Sequence, residues 1–222
     1  MVGLDLDAGK ARDVLADVDG VRCFGVDVTD AAAVGAALAD YGADPDLLVN
    51  AAGIVMRGPV LERSLADFRR VMEVNFMGAV VTMHAIAPAM VRRGSGVIIN
   101  IASIVGAVVA GVNVGAYAAS KAALAAFSAQ MAMELRPFVR VNAVAPGMID
   151  AGIGAARSYA DPESLRARIA VQPAGRMGTA EEIAGVVAFL ASDAAGFINA
   201  QTITVDGGLS TSILAQIQAK RR

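Results

Sequence analysis

Apolar and polar positions fall in blocks along this chain, and the period changes from block to block. Val2 to Leu6 is a short apolar run ending among acids, Asp5 and Asp7. Ala8 to Val18 then sets Ala11, Val14, Leu15 and Val18 at helical spacing. Val21 to Val28 returns to a strand pattern closed by Asp27-Val28-Thr29-Asp30, where Asp30 is placed to cap an Ala-rich helix reaching Tyr41. Gly42 to Asp46 reads as a turn, and Leu47-Leu48-Val49 as a buried strand opening into Asn50-Ala51-Ala52-Gly53. Ser64-Leu65-Ala66-Asp67 has the spacing of a capping-box variant and begins a helix running to about Val91, with Asn75 midway. An Asn amide competes for backbone hydrogen bonds inside a helix, so an inward-facing Asn75 requires a local reason, a kink or a water site.

Val97 to Ala102 is the next strand, Ala116 to about Arg136 the next helix, and Val139 to Ala145 a strand ended by Pro146-Gly147. The pattern weakens from Met148 to Gln172, a stretch of small residues that reads as a mobile loop. Thr179-Ala180-Glu181-Glu182 is a capping box opening a helix to Ala191, and Gln201 to Val205 is a last strand closed by Asp206-Gly207-Gly208. Strands alternating with helices at this rhythm predict right-handed βαβ units and a parallel sheet covered on both faces, in a single α/β domain spanning residues 1–222. A ligand of such a sheet sits at the carboxyl ends of the strands. Asp5, Asp27, Asn50 to Gly53, Ser103 and Pro146-Gly147 all lie at such ends.

Composition narrows the function. Hydrophobic residues make up 56% of the 222 positions, which fits strands buried on both faces. A net charge of −2 with 5% aromatics offers no basic, aromatic-rich surface, so nucleic acid is excluded as a partner. One cysteine, Cys23, rules out an internal disulfide, and the lone His84 leaves no cluster with metal-ligand spacing. The start, Met-Val-Gly-Leu-Asp, lacks the basic and apolar regions of a signal peptide, and a cytoplasmic location is expected. Gly94 to Ser120 carries no charge and exceeds the ~18 apolar residues of a membrane span. Asn100, Ser103, Asn113 and three glycines interrupt it, however, and a strand, a loop and a helix start account for it better than a membrane helix.

The chemistry concentrates between Ser103 and Lys121. Tyr117 and Lys121 share one face of a helix a turn apart, which sets an ammonium beside a phenol. A phenol titrates near pH ~10, and a fixed cation favours the phenolate, so the pair suits proton exchange with a carbonyl or alcohol oxygen. Ser103, where a strand stops, offers a hydroxyl to the same oxygen. Taken alone, a Tyr and a Lys at this spacing also describe ordinary surface neighbours.

The pair does not stand alone. The order Asp27-Val28, Asn50-Ala51-Ala52-Gly53, Asn75, Ser103, Tyr117-Ala-Ala-Ser-Lys121, Pro146-Gly147, Gly175-Arg176-Met177-Gly178 and Val205-Asp206-Gly207-Gly208 resembles the short-chain dehydrogenase/reductase family over essentially the whole chain. The resemblance implies a doubly wound Rossmann-type sheet in three α/β/α layers, NAD or NADP as hydride carrier, and interconversion of a secondary alcohol and a ketone. It makes Tyr117 the general acid/base and gives Ser103 the substrate oxygen. Lys121 would lower the Tyr pKa and bind the nicotinamide ribose, and Asn75 would hold a water in a proton relay. Asp27 and Val28 would contact adenine, Asn50, Ala51 and Gly53 would line the adenosine ribose side, and Pro146, Gly147 and the backbone near Ile149 would meet the nicotinamide. Asp5 would bond the ribose 2′-OH and repel a 2′-phosphate, favouring NAD over NADP. A homodimer or homotetramer is expected, because the helices Phe68 to Val91 and Tyr117 to Leu135 are apolar around most of their surface.

Three departures accompany the resemblance. Ala51 stands where the family has a second Asn, and Ala151 where a Thr usually follows Pro-Gly. The third is larger: a nucleotide-binding Asp follows a glycine-rich turn by ~20 residues, whereas Asp5 is preceded by four residues. The first strand, the phosphate-cradling glycine loop and the first helix are therefore expected to be missing, with a gap of roughly 10 Å between the strands Val2 to Leu6 and Leu47 to Val49. Gly152-Ile-Gly154 does not replace that loop. The chain is expected to bind NAD poorly, and the alternative to an oxidoreductase is a non-catalytic relative acting as an oligomerising or partner-binding scaffold.

Overall fold

The computed structural model describes residues 1–152 and 162–212. Part of the loop expected over 148–172, including most of Gly152-Ile-Gly154, and the basic tail Lys220-Arg221-Arg222 lie outside the described residues. In chain order the elements are β1 (Val2–Asp5), α1 (Ala8–Val14), β2 (Arg22–Gly25), α2 (Ala31–Tyr41), β3 (Leu47–Asn50), α3 (Leu65–Met72), α4 (Gly78–Arg93), β4 (Gly96–Ile101), α5 (Ile104–Ala107), α6 (Gly115–Glu134), β5 (Val139–Pro146), α7 (Pro162–Ala170), α8 (Ala180–Ala191) and β6 (Thr202–Val205).

Among the described residues every strand pairing is parallel, but the strands form two ladders, β1-β2 and β3-β4-β5-β6. Among the described residues nothing pairs with the edges of β1 and β3 at the position of the expected gap. On β3, Leu48 enters the main core while Leu47 and Val49, on the opposite face by strand alternation, remain 37% and 39% exposed. The first forty residues are correspondingly thin in core: α1 has no buried residue, and Val14 is 76% exposed. This helix also stops at Val14, short of the Val18 that periodicity suggested.

The body from β3 onward is closely packed. One face of the sheet carries α2, α4 and α6, through Met83, Ile86, Met90, Leu124 and Ala132 packed on Leu48, Ile98 and Val141. The other carries α8, whose Leu190 packs on Ile99 and Val144. Local signals set the element ends as read from the sequence. Asp30 accepts from the N–H groups of Ala32 and Ala33, Ser64 from Asp67, and Thr179 with Glu182 forms a reciprocal capping box. The stretch from Leu65 to Arg93 is long and apolar enough to cross a membrane, yet 56% of its most apolar window is buried in the fold, as in a core helix.

Candidate active site

Ser103 follows the end of β4 and caps the short α5, its Oγ accepting from Val105 N at 3.2 Å. Helix α6 starts at Gly115, which puts Tyr117 in its first turn and Lys121 one turn further on. The two elements touch: Gly106, at φ +101°, lies so close to the Ala118 carbonyl that no side chain fits there. Lys121 is 4% exposed, donates from Nζ to the Ile101 carbonyl at 2.6 Å, and lies 6.0 Å from the centre of the Tyr117 ring. Burial pushes its pKa down from 10.5 to about 8, because the ammonium has lost most of its water.

Asn75 supplies the local reason that its helical position demanded. The helix from Leu65 to Arg93 widens into a π turn over Glu73–Met77, and this turns Asn75 inward, where it is 1% exposed. Its Oδ1 accepts from Ile54 N at 2.7 Å, and its Nδ2 donates to Ile54 O at 2.9 Å and to Ser120 Oγ at 3.0 Å. One side chain thus ties the loop after β3 to Ser120, beside Lys121 on α6. Gly53 is where these parts converge, since a Cβ there would sit 3.2 Å from Asn75 Oδ1 and 3.6 Å from Lys121 Nζ. A phenol, an ammonium, a hydroxyl and an amide oxygen therefore stand on elements that pack against one another. That set can bind a substrate oxygen and exchange a proton with it.

The residues expected to hold a nucleotide lie along the same strand ends. Asp5 is exposed at the end of β1, and its Oδ1 accepts from Asp7 N at 2.9 Å; the cap of α1 is Asp7 itself. Asp27 is held by the Thr29 N–H and hydroxyl on Oδ1 and by Arg70 at 3.3 Å on Oδ2. The Thr29 bonds first, then Arg70, keep its carboxyl below the ordinary carboxylate range. Val28, Asn50 and Asn75 line one small cleft together with Gly78, over which Val28 packs. The Asn50 side chain turns to the interior, accepting from Thr82 Oγ1 at 2.6 Å and donating to Asn100 Oδ1 at 2.9 Å. Ala51 is exposed beside it. Gly147, after Pro146 at the end of β5, approaches Asp206 so closely that a Cβ would meet that residue at 2.7 Å. Ile149 bridges to Gly178 through the bonds of its neighbours, Met148 O and Asp150 N, which leaves its own N–H and carbonyl outside that bridge.

Four buried polar residues of this region carry a role that the sequence pattern did not assign them. Thr82, Asn100 and Ser128 continue from Asn50 as a chain of hydrogen bonds across β3 and β4, and Ser120 bonds Asn75. The available signal was polar residues recurring among apolar ones at core-facing positions, Ser120 and Ser128 on α6 and Thr82 on α4.

Comparison with known proteins places the chain in a family. Residues 2–210 match the family model described as enoyl-(acyl carrier protein) reductase. The chain is 34% identical over 215 residues to a 2-keto-3-deoxy-L-fuconate dehydrogenase of Xanthomonas campestris, covering 95% of this chain and 71% of that protein. It is 36% identical over 220 residues to a sorbitol dehydrogenase of Cereibacter sphaeroides, covering 92% and 85%. Among solved structures, a Brucella melitensis 3-oxoacyl-[acyl-carrier protein] reductase with bound NAD superposes with a TM-score of 0.85 at 32% identity, covering 94% of this chain and 80% of that one. A Burkholderia cenocepacia gluconate 5-dehydrogenase in complex with NADP and tartrate gives 0.87 at 32%, covering 96% and 86%. With its motifs in order, its parallel sheet and these relatives, the chain belongs to the short-chain dehydrogenase/reductase family.

Proposed function

We propose that this member of an oxidoreductase family interconverts a small secondary alcohol and its ketone with NAD, using Tyr117, Lys121, Ser103 and Asn75. The observation that carries the reading is the buried Lys121 beside Tyr117, close to Gly53 and to the Asn75 that bonds the loop leaving β3. The nicotinamide supplies hydride transfer to or from the carbinol carbon. This chain's residues handle the oxygen. Ser103 Oγ donates to it, and the Tyr117 hydroxyl gives it a proton in reduction or takes one in oxidation. The Lys121 ammonium, desolvated by its surroundings, gains more from a nearby phenolate than an exposed lysine would. Asp5 at the end of β1 favours an unphosphorylated ribose, because a 2′-phosphate there would face a carboxylate.

Tyr117→Phe keeps the ring and removes the transferable proton. With NAD raised to saturation, so that weak binding does not limit the assay, turnover followed by nicotinamide absorbance is expected to fall about 10²–10⁴-fold with NAD affinity little changed. Near-normal turnover in the variant would rule out this site.

A further inference from the structure

Helix α6 carries the same device twice. Ser120 and Ser128 are 0% and 1% exposed and lie about two turns apart on one helix face. Each donates its hydroxyl to a carbonyl of the preceding turn, Tyr117 O at 2.7 Å and Leu124 O at 2.6 Å. Each accepts from the amide of a buried Asn, Asn75 Nδ2 at 3.0 Å and Asn100 Nδ2 at 2.8 Å. The Ser128 copy fastens α6 to β4 in the interior. The Ser120 copy fastens the turn bearing Tyr117 and Lys121 to Asn75, and through Asn75 to both backbone groups of Ile54.

We infer that Ser120 is a positioning residue, whose hydroxyl sets Asn75 and the first turn of α6 in the geometry that proton transfer at Tyr117 requires; this rests on the function proposed above. Both N–H groups of the Asn75 amide are engaged, one by Ile54 O and the other by Ser120 Oγ. Removing the hydroxyl leaves a buried donor without a partner, a state the interior relieves by moving something. The movable parts are the amide, which then leaves Ile54, and the first turn of α6, which then carries Tyr117 with it. Displacements of this kind matter at a reacting centre, where about 1 Å of misplacement costs on the order of 10²-fold in rate.

Ser128 provides the control, because Ser128→Ala deletes the same pair of bonds away from Tyr117. Ser120→Ala and Ser128→Ala are both expected to lower the melting temperature of the chain. In Ser120→Ala alone, amide exchange at Ile54, read by NMR, should quicken by about tenfold or more as the Asn75 bond to its N–H loosens. In Ser120→Ala alone, kcat should fall by about tenfold while KM for the alcohol is unchanged, the pattern of an interaction made in the transition state. Ser120→Thr keeps the hydroxyl and should restore both readings. Should Ser120→Ala fail to fold, Ser120→Cys, whose thiol is a much weaker acceptor for Asn75 Nδ2, takes its place in the comparison. The inference is overturned if the Ser120 variant matches Ser128→Ala in Ile54 exchange and in kcat. A wild-type chain without turnover strikes the proposed function instead, and the Ile54 comparison then decides the inference by itself.

Discussion

Replacing Lys121 by Met should make the protein more stable at neutral pH while abolishing turnover. The ammonium is buried with one hydrogen bond, to the Ile101 carbonyl, and its pKa falls from 10.5 to about 8. That difference corresponds to a penalty of about 3 kcal/mol on the native state while the group is charged, at about 1.4 kcal/mol for each tenfold change in proton affinity. Met has a similar shape and no charge to desolvate, but it gives up the bond to Ile101, worth about 1 kcal/mol. The net expectation is a gain of about 2 kcal/mol, which for a domain of this size raises the melting temperature by about 4–8 °C. The pH dependence follows from proton counting. Between the folded pKa of about 8 and the unfolded 10.5 the unfolded chain holds more protons, so wild-type stability climbs with pH through that window. The penalty is complete below the window and absent above it. Thermal unfolding followed by circular dichroism from about pH 7 to pH 10 should show the advantage of Lys121→Met shrinking as pH rises. A variant that melts below wild type at neutral pH, or an advantage that stays constant to pH 10, would refute the claim that burial strains this lysine.

Further expectations concern the loop after β3, the nucleotide and the assembly. Gly53→Ala places a methyl 3.2 Å from Asn75 Oδ1, and should cost about 1 kcal/mol in unfolding experiments; an unchanged melt would mean that the loop yields freely. The 222-residue chain should bind NAD weakly beside a version extended upstream by a strand, a glycine-rich turn and a helix, whose backbone N–H groups would hold the pyrophosphate. Equal micromolar affinity for both by calorimetry would show that other groups hold it. Met77, in the π turn before α4, and Met133, on α6, are 37% and 45% exposed and are expected to be covered in a dimer or tetramer, and light scattering that returns a monodisperse monomer at micromolar concentration would exclude it.

Whatever depends on neighbours along the chain could be read from the residues alone. Element order, the caps at Asp30, Ser64 and Thr179, and the pairing of Tyr117 with Lys121 on one helix face all follow from local chemistry over a few residues. So did the demand that Asn75 have a special reason to sit inside a helix. The packed fold settled what that reason is, because the partner, Ile54, lies in the loop after β3 and only folding brings its backbone to the amide. It also decided that the Asn50 side chain serves Thr82 and Asn100 within the fold, and that Ser120 and Ser128 face asparagines. A serine in an Ala-rich helix reads the same whether it faces water or an amide, since hydrogen-bond partners far apart in the chain leave no periodic trace. The depressed pKa of Lys121 belongs to the same class: its cause is burial, and burial is a property of the whole packed molecule.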